Sequence, residues 1–358
     1  MLFRSLEPRI LLVEFHLKQK QSQEALRLAT ETHSAKPEDS RTLDLLARVQ
    51  FAIGEKESSL QSYKKLVQQE PKSAPAFFRL GLVELALNQL EGATSSMRKA
   101  LSLQPAYYEA AAGLVGLNIK QGRNDEALKV AKEFQQQNPK SAAGYLLEGD
   151  LLAQQRKFDA AIPLMLKAQS LQPSGQVAIR VHQLQYAANR PDEADRDLEV
   201  WLKNHPGDLL ARLRLAESYQ ARKKNKAAIE QYELVQKAAP EQVVALNNLA
   251  LLYQAEKDAR ALPTAEKAYK LKPDVGAVAD TLGWILVEQG QAARGVEILR
   301  KALAADKDNG DIAYHYAAAL AKSGDKIAAR KQLEAILAPG KAFPQQEQAK
   351  ALLKQLGS

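Results

Sequence analysis

Eight prolines act as a ruler along this chain. The steps from Pro37 through Pro71, Pro105, Pro139, Pro173, Pro206 and Pro240 to Pro273 are 34, 34, 34, 34, 33, 34 and 33. A fixed period of this size marks stacked repeats, each of which buries its apolar face only against its neighbours. The unit is legible in residues 74–105, APAFFRLGLVELALNQLEGATSSMRKALSLQP. Apolar residues fall at helical spacing in two runs, Phe77-Leu80-Leu82-Val83-Leu85 and Leu90-Ala93-Met97-Ala100-Leu101. Asn88-Gln89 separates the runs, and Asn tolerates the left-handed conformation that closes a helix. Pro105 stops the second run, because it has no backbone N–H to donate. Gly81 and Ala93 are small where two backbones must approach. Each unit is therefore a helix hairpin with one face too apolar to leave in water.

Registering every unit on its closing proline gives ten hairpins, at 6–39, 40–73, 74–107, 108–141, 142–175, 176–208, 209–242, 243–275, 276–309 and 310–343. Gly54, Asn88, Gly122, Gly290 and Gly324 mark turns between paired helices. Ala25, Ala93, Ala127, Ala161, Ala194, Ala228, Ala261 and Ala329 recur early in the second helix. Repeats 176–208 and 243–275 are one residue short, and the deletions are expected in the inter-helix turns, near Asn189-Arg190-Pro191 and Lys257-Asp258-Ala259. Phe77, Leu80, Gly81, Ala93, Met97 and Pro105 resemble the tetratricopeptide (TPR) pattern, with Met in its Phe place. The resemblance covers almost the whole chain. It implies an all-α, right-handed superhelical solenoid whose turns are hairpins.

At the C-terminus, residues 344–358 are expected to form a capping helix, with Ala349, Leu352, Leu353 and Leu356 on one face. At the other end, Ile10-Leu11-Leu12-Val13, Phe15 and Leu17 are apolar around most of a helix, which calls for neighbours on more than one side. Residues 1–5, MLFRS, contain no signal-peptide core or cleavage site and read as a non-native leader, with further repeats expected upstream.

Composition narrows the chemistry. No cysteine is present, which removes disulfides, thiolate nucleophiles and zinc fingers. The five histidines, His16, His33, His182, His205 and His315, show no paired ligand spacing, and Asp311 with His315 at i, i+4 suggests a local hydrogen bond. No Walker loop, G-x-S-x-G or carboxylate pair with a plausible pocket occurs. The expectation is a non-enzyme with no catalytic residues, metal or cofactor. The net charge of +8 is diffuse, and its densest cluster, Arg222-Lys223-Lys224-Lys226, lacks aromatic interleaving, so nucleic acid is not the expected partner. No apolar run is long enough to span a membrane.

A TPR stack offers instead a concave groove lined by its first helices, and this resemblance implies protein or peptide partners there. The family's groove positions are 2, 5, 9 and 12 of each repeat. Position 9 maps to Glu14, Arg48, Leu82, Gly116, Asp150, Leu184, Glu217, Leu251, Trp284 and Ala318. The carboxylate-clamp chaperone adaptors need Lys at position 5 and Asn at position 9, and no repeat has either. The residues proposed to line the partner site are Arg48, Phe78, Asn247, Leu251, Asp280, Trp284, Val287 and Tyr314. Trp284 is the leading anchor; the alternative is that it packs on the next first helix near Tyr314.

The last third carries a narrower resemblance. DARAL…AEKAYKL, DTLGW, AKSGDK-x-AAR and GKAFP…A-x-ALLK-x-L, within residues 253–303 and 312–356, are similar to the C-terminal end of the TPR-repeat lipoproteins of the bacterial PEP-CTERM/exosortase system. That resemblance implies an envelope scaffold for exopolysaccharide production, export or protein sorting, periplasmic or outer-membrane-associated. A cytoplasmic adaptor or co-chaperone and a polysaccharide-binding protein are the alternatives.

Overall fold

The computed structural model describes residues 6–338 and 342–357. The proposed leader, residues 1–5, lies outside the described residues. Everything described is helix and connection. Two compact units are present, Met1–Arg190 and Pro191–Ser358.

The first unit contains α1 (Leu6–Lys18), α2 (Ser22–Ala35), α3 (Ser40–Ala52), α4 (Lys56–Gln69), α5 (Ala74–Ala86), α6 (Leu90–Leu103), α7 (Tyr108–Lys120), α8 (Asn124–Gln137), α9 (Ala142–Gln154), α10 (Phe158–Leu171) and α11 (Gly175–Ala187). The second contains α12 (Pro191–Asn204), α13 (Leu209–Ala221), α14 (Asn225–Ala238), α15 (Val243–Ala255), α16 (Ala261–Leu271), α17 (Gly276–Glu288), α18 (Ala292–Ala305), α19 (Gly310–Lys322), α20 (Lys326–Ile336) and α21 (Gln346–Gly357). Within a unit each helix packs on its sequence neighbours. First helices also touch the next first helix, α1 on α3 and α7 on α9 in one unit, α15 on α17 and α17 on α19 in the other.

The turn inside each hairpin is one device repeated ten times. Its left-handed residue is Lys20, Gly54, Asn88, Gly122, Arg156, Asn189, Lys223, Lys257, Gly290 or Gly324. The following N–H reaches back five residues, as from Gln89 to the Glu84 carbonyl at 2.8 Å and from Lys157 to that of Leu152 at 2.8 Å. This Schellman closure satisfies carbonyls that a helix end would leave bare. Lys and Arg fill several of these positions because the closing hydrogen bonds outweigh a left-handed cost of about 1 kcal/mol. Arg156→Gly should therefore raise stability by about 0.5 kcal/mol, once the extra unfolded-state freedom of Gly is subtracted. Gly122→Ala should lower it by about 1 kcal/mol. Urea unfolding followed by circular dichroism reads both signs.

Small residues let the paired helices close. Ala25, Ala93, Ala127, Ala161, Ala194, Ala228, Ala261 and Ala329 are all fully buried, and Ser59 takes the same place, its Oγ donating to the Ala47 carbonyl at 2.8 Å. At α17–α18 the position is Gly295. A Cβ there would lie 2.4 Å from Val287 Cγ2 and 2.9 Å from the Gly283 carbonyl, so this pair crosses glycine on glycine.

One expected deletion moves. Left-handed Asn88 is the seventeenth residue after Pro71, but Asn189 is only the sixteenth after Pro173. The residue is missing from the α10–α11 connection, Gln172-Pro173-Ser174, and not from the turn at Asn189. The helix register of that repeat therefore starts at Gly175, one residue earlier than the prolines indicated. The other deletion lies where expected: α16 begins four residues after Lys257 and has 11 residues against 14 in α14.

At the end of the second unit α21 covers α19 and α20. Ala349 is fully buried with Ala317 and Leu333, and Leu352, Leu353, Leu356 and Phe343 pack around them.

Candidate protein-interaction face

The first helices of the second unit, α13, α15, α17 and α19, bring together most of the residues singled out in the sequence. Trp284 is half-buried. Its indole stacks on the His315 imidazole of α19, with centroids 4.3 Å apart and planes at 19°, and the Tyr314 ring lies 6.4 Å away. The Lys322 ammonium stands over the indole at 5.5 Å and reaches Glu288 at 3.5 Å. Trp284 thus packs on the next first helix, as the packing alternative held, while part of the ring stays open to solvent.

Asp280 and His315 form the polar centre of this cluster. Asp280 carboxylate oxygens lie 2.8 and 3.0 Å from His315 Nδ1, across one repeat of sequence. The expected local bond between Asp311 and His315 is not what forms. Asp311 Oδ1 accepts instead from the Gln345 N–H at 3.2 Å, tying α19 to the segment before α21. One turn of helix brings a carboxylate to His315 less favourably than the neighbouring helix does, because side chains at the α17–α19 seam already face each other. Among the described residues no three His, Asp or Glu side chains gather as a metal site. Burial, helped by the Glu288 charge, pushes the Tyr314 phenol above its ordinary pKa.

Val287 is corrected. It is 2% exposed and packs with Leu299 and Ala319, so it does not line an open face. The glycine-on-glycine crossing draws α18 close enough to fold Val287 into the core. Leu251 is 37% exposed and Asn247 half-buried. Two residues at position 2 were missed: Leu210 is 68% exposed and Val244 48%. Their signal was an apolar side chain at one repeat position, recurring in the next repeat.

The first unit presents a different surface. Arg48 lies 3.5 Å from Glu14 and 3.2 Å from Asp44, which also pairs with Arg79. The ladder Glu14–Arg48–Asp44–Arg79 runs over α1, α3 and α5, so Arg48 is engaged by Glu14 of α1 and by Asp44 of its own helix. Phe78 is half-buried, edge-on to Tyr107 at 5.3 Å and 70°, and packs in the core. Leu184, mapped to position 9, is 8% exposed because of the register shift; Gln183 takes the exposed place. Farther along, Arg180 pairs with Asp150 at 2.7 Å, and burial still raises the Asp150 pKa against that cation.

Two of the four cations in the basic cluster at 222–226 are paired with carboxylates. Arg222 pairs with Asp192 and with Asp195 at 2.6 Å, and Lys224 lies 3.4 Å from Asp192. Among the described residues no helix is long and apolar enough to cross a membrane.

Hairpins of fixed length, closed by a shared left-handed turn and stacked through their first helices, define the class: an α-solenoid built from helical repeats. Models described as tetratricopeptide repeat match residues 84–151 and 286–356, 45–108 and 183–243, and 142–174. The chain is a TPR-repeat protein. A TPR repeat-containing protein of Pseudomonas aeruginosa is 30% identical over 176 residues, which is 48% of this chain and 29% of that protein. The human FK506-binding protein-like protein is 33% identical over 82 residues, 23% of each chain. The chain thus spans less than a third of the length of either relative. In fold, it is similar to the C-terminal part of a TPR repeat-containing protein from Cytophaga hutchinsonii, with a TM-score of 0.53 and 17% identity over 68% of this chain and 99% of that one. Proteins of this family are generally protein–protein interaction scaffolds and typically non-catalytic.

Proposed function

We propose that this scaffold binds a protein segment along the first-helix face of its second unit and serves a bacterial PEP-CTERM/exosortase exopolysaccharide system, at the periplasmic side of the envelope. The observation that carries the binding site is the run of exposed or half-exposed Leu210, Val244, Leu251 and Trp284 on successive first helices, bordered by Asn247, Asp280 and Tyr314. Apolar anchors edged by polar groups suit an extended or helical peptide. The support for the envelope system is the sequence of the last third, DTLGW at 280–284 with the AKSGDK and ALLK-x-L segments around it.

A sugar-binding face fits less well. Carbohydrate recognition uses an open aromatic face, and here His315 occupies one face of the indole while Lys322 also stands over the ring.

The test is affinity capture from an envelope extract of a bacterium carrying the PEP-CTERM system, with Leu251→Lys and Trp284→Ala as variants. Leu251→Lys should lower stability by less than about 1 kcal/mol, since the residue is 37% exposed and a lysine stem can lie along the same surface with its ammonium in water. Trp284→Ala should cost about 2 kcal/mol of stability, because a half-buried indole and its stack are lost. Loss of exosortase or exopolysaccharide components with Leu251→Lys is the expected result. Equal capture by wild type and Leu251→Lys would remove the face assignment, and capture of none of those components would remove the envelope reading.

A further inference from the structure

On the second-helix side of the second unit, two first helices send a tyrosine up between their neighbours. Tyr219 and Tyr253 each stand four residues before a left-handed turn residue, Lys223 and Lys257. The Tyr219 hydroxyl donates to Glu199 of α12, and the Tyr253 hydroxyl donates to Glu233 Oε1 of α14 at 2.7 Å. A cation covers each ring. The Lys224 ammonium lies 5.5 Å from the Tyr219 centroid, and the Arg260 guanidinium lies 4.2 Å from that of Tyr253. Arg260 also reaches Glu233 at 2.7 Å, so carboxylate, phenol and guanidinium form one trio.

The next repeat keeps two members of that trio and lacks the third. Glu266 stands five residues after Ala261, as Glu233 stands five after Ala228. Arg294 stands just before Gly295, as Arg260 stands just before Ala261, and it reaches Glu266 at 3.1 Å. The residue four before the left-handed Gly290 is Leu286, which has no hydroxyl to offer Glu266. Here a cavity of about 510 Å³ opens between α16 and α18. Leu282, Leu286, Tyr269 and Ile298 line it, and the Glu266–Arg294 pair lines it one helical turn away from Lys270 and Ile298. Ligand sites span about 300–1,000 Å³ and join an apolar lining to a few placed polar groups, as this one does.

We infer that the α16–α18 cavity binds a tyrosine side chain of a partner protein, which supplies the phenol that α17 lacks. The ring lies along the groove over Leu282 and Leu286, and its hydroxyl donates to Glu266 as Tyr253 donates to Glu233. Arg294 covers the ring as Arg260 covers Tyr253. The side chain leaves for its own main chain at the other end, beside Lys270 and Ile298. Scaffolds of this family generally bind proteins, which makes a tyrosine, and not a free phenol, the source of the ring. A hydroxyl given to a carboxylate in an apolar groove sets tyrosine above phenylalanine, because phenylalanine would cover Glu266 without bonding it.

The full chain is titrated with a blocked alanine–tyrosine–alanine tripeptide, its phenylalanine counterpart and p-cresol, with binding read by ligand-observed NMR. Saturable millimolar binding of the tyrosine peptide is expected, and binding at least about fivefold weaker for the phenylalanine peptide. Glu266→Ala should weaken the tyrosine peptide by a similar factor, and it alters an exposed residue, so its melting curve should match wild type. Leu286→Tyr places the missing ring inside the protein and should abolish binding; if that variant does not fold, Glu266→Ala decides alone. Equal affinity for the two peptides, or tyrosine-peptide binding indifferent to Glu266→Ala, would overturn the inference. Binding of p-cresol without binding of the peptide would assign the cavity to free phenols and overturn the protein source. Loss of peptide binding in Leu251→Lys would move the contact to the first-helix face and overturn the site.

Discussion

Arg222→Ala is expected to destabilise the second unit by about 3 kcal/mol at neutral pH. Asp195, at the α12–α13 packing, has a side chain only 3% exposed. Its Oδ2 receives the Arg222 Nη1 at 2.6 Å and its Oδ1 receives the Ser218 hydroxyl at 2.6 Å. Taking away the guanidinium leaves a buried carboxylate with the Lys224 ammonium 3.9 Å away, too far for a hydrogen bond. The outer pair with Asp192 contributes little, since Asp192 is 73% exposed and screened by water. Most of the cost is therefore the buried charge deprived of its guanidinium, and a variant that removes both charges should recover most of it. Arg222→Met combined with Asp195→Leu is expected to unfold within about 1 kcal/mol of wild type. Urea melts of the single and double variants decide the point. A single variant within error of wild type would show that the partners left to Asp195 suffice to hold its charge.

Met165→Ala should cost about 3 kcal/mol in the first unit. Met165 is fully buried among Leu152, Ile162, Val181 and Leu184. Its methyl lies 2.9 Å from where a Cβ on Gly149 would stand, so glycine at 149 is what admits the long side chain. Met165→Leu keeps most of the volume and should cost less than about 1.5 kcal/mol. The informative variant is the double one. Gly149→Ala alone collides with Met165, whereas in the Met165→Ala background the added methyl enters space that the substitution has vacated. The two changes should therefore be less damaging together than their sum, a coupling of about 1 kcal/mol that thermal melts of the four variants can measure. Additive costs would mean that the cavity collapses by another route.

Much of this protein was legible because a repeat writes its own alignment. The prolines fix the period, the period superposes the hairpins, and Ala93 aligns with Ala127, Ala161 and Ala228 in the sequence alone. The apolar face of α21 and the apolar girth of α1 were equally plain, since both are properties of a single helix. The left-handed turns were only half visible. Gly54, Asn88, Gly122, Gly290 and Gly324 announced themselves, whereas Lys20, Arg156, Lys223 and Lys257 adopt the same conformation because two backbone hydrogen bonds impose it.

The face was harder to read than the fold. Its residues belong to neighbouring hairpins, and sequence periodicity says which position each occupies without saying what the adjacent helix places against it. A residue deleted between Leu171 and Gly175 rotated α11 by one position, turning Leu184 inward and Gln183 outward. A glycine pair at α17–α18 closed the space around Val287. The salt-bridge ladder through Arg48 and the Asp280–His315–Trp284 stack each join residues one repeat apart. Sequence by itself determined the repeat, the helix hairpin and its small-residue contacts, because these depend on interactions within one repeat length. Tertiary structure alone decided which side chains remain free to meet a partner, because exposure depends on the distance and rotation between helices, and both are set by packing across repeats.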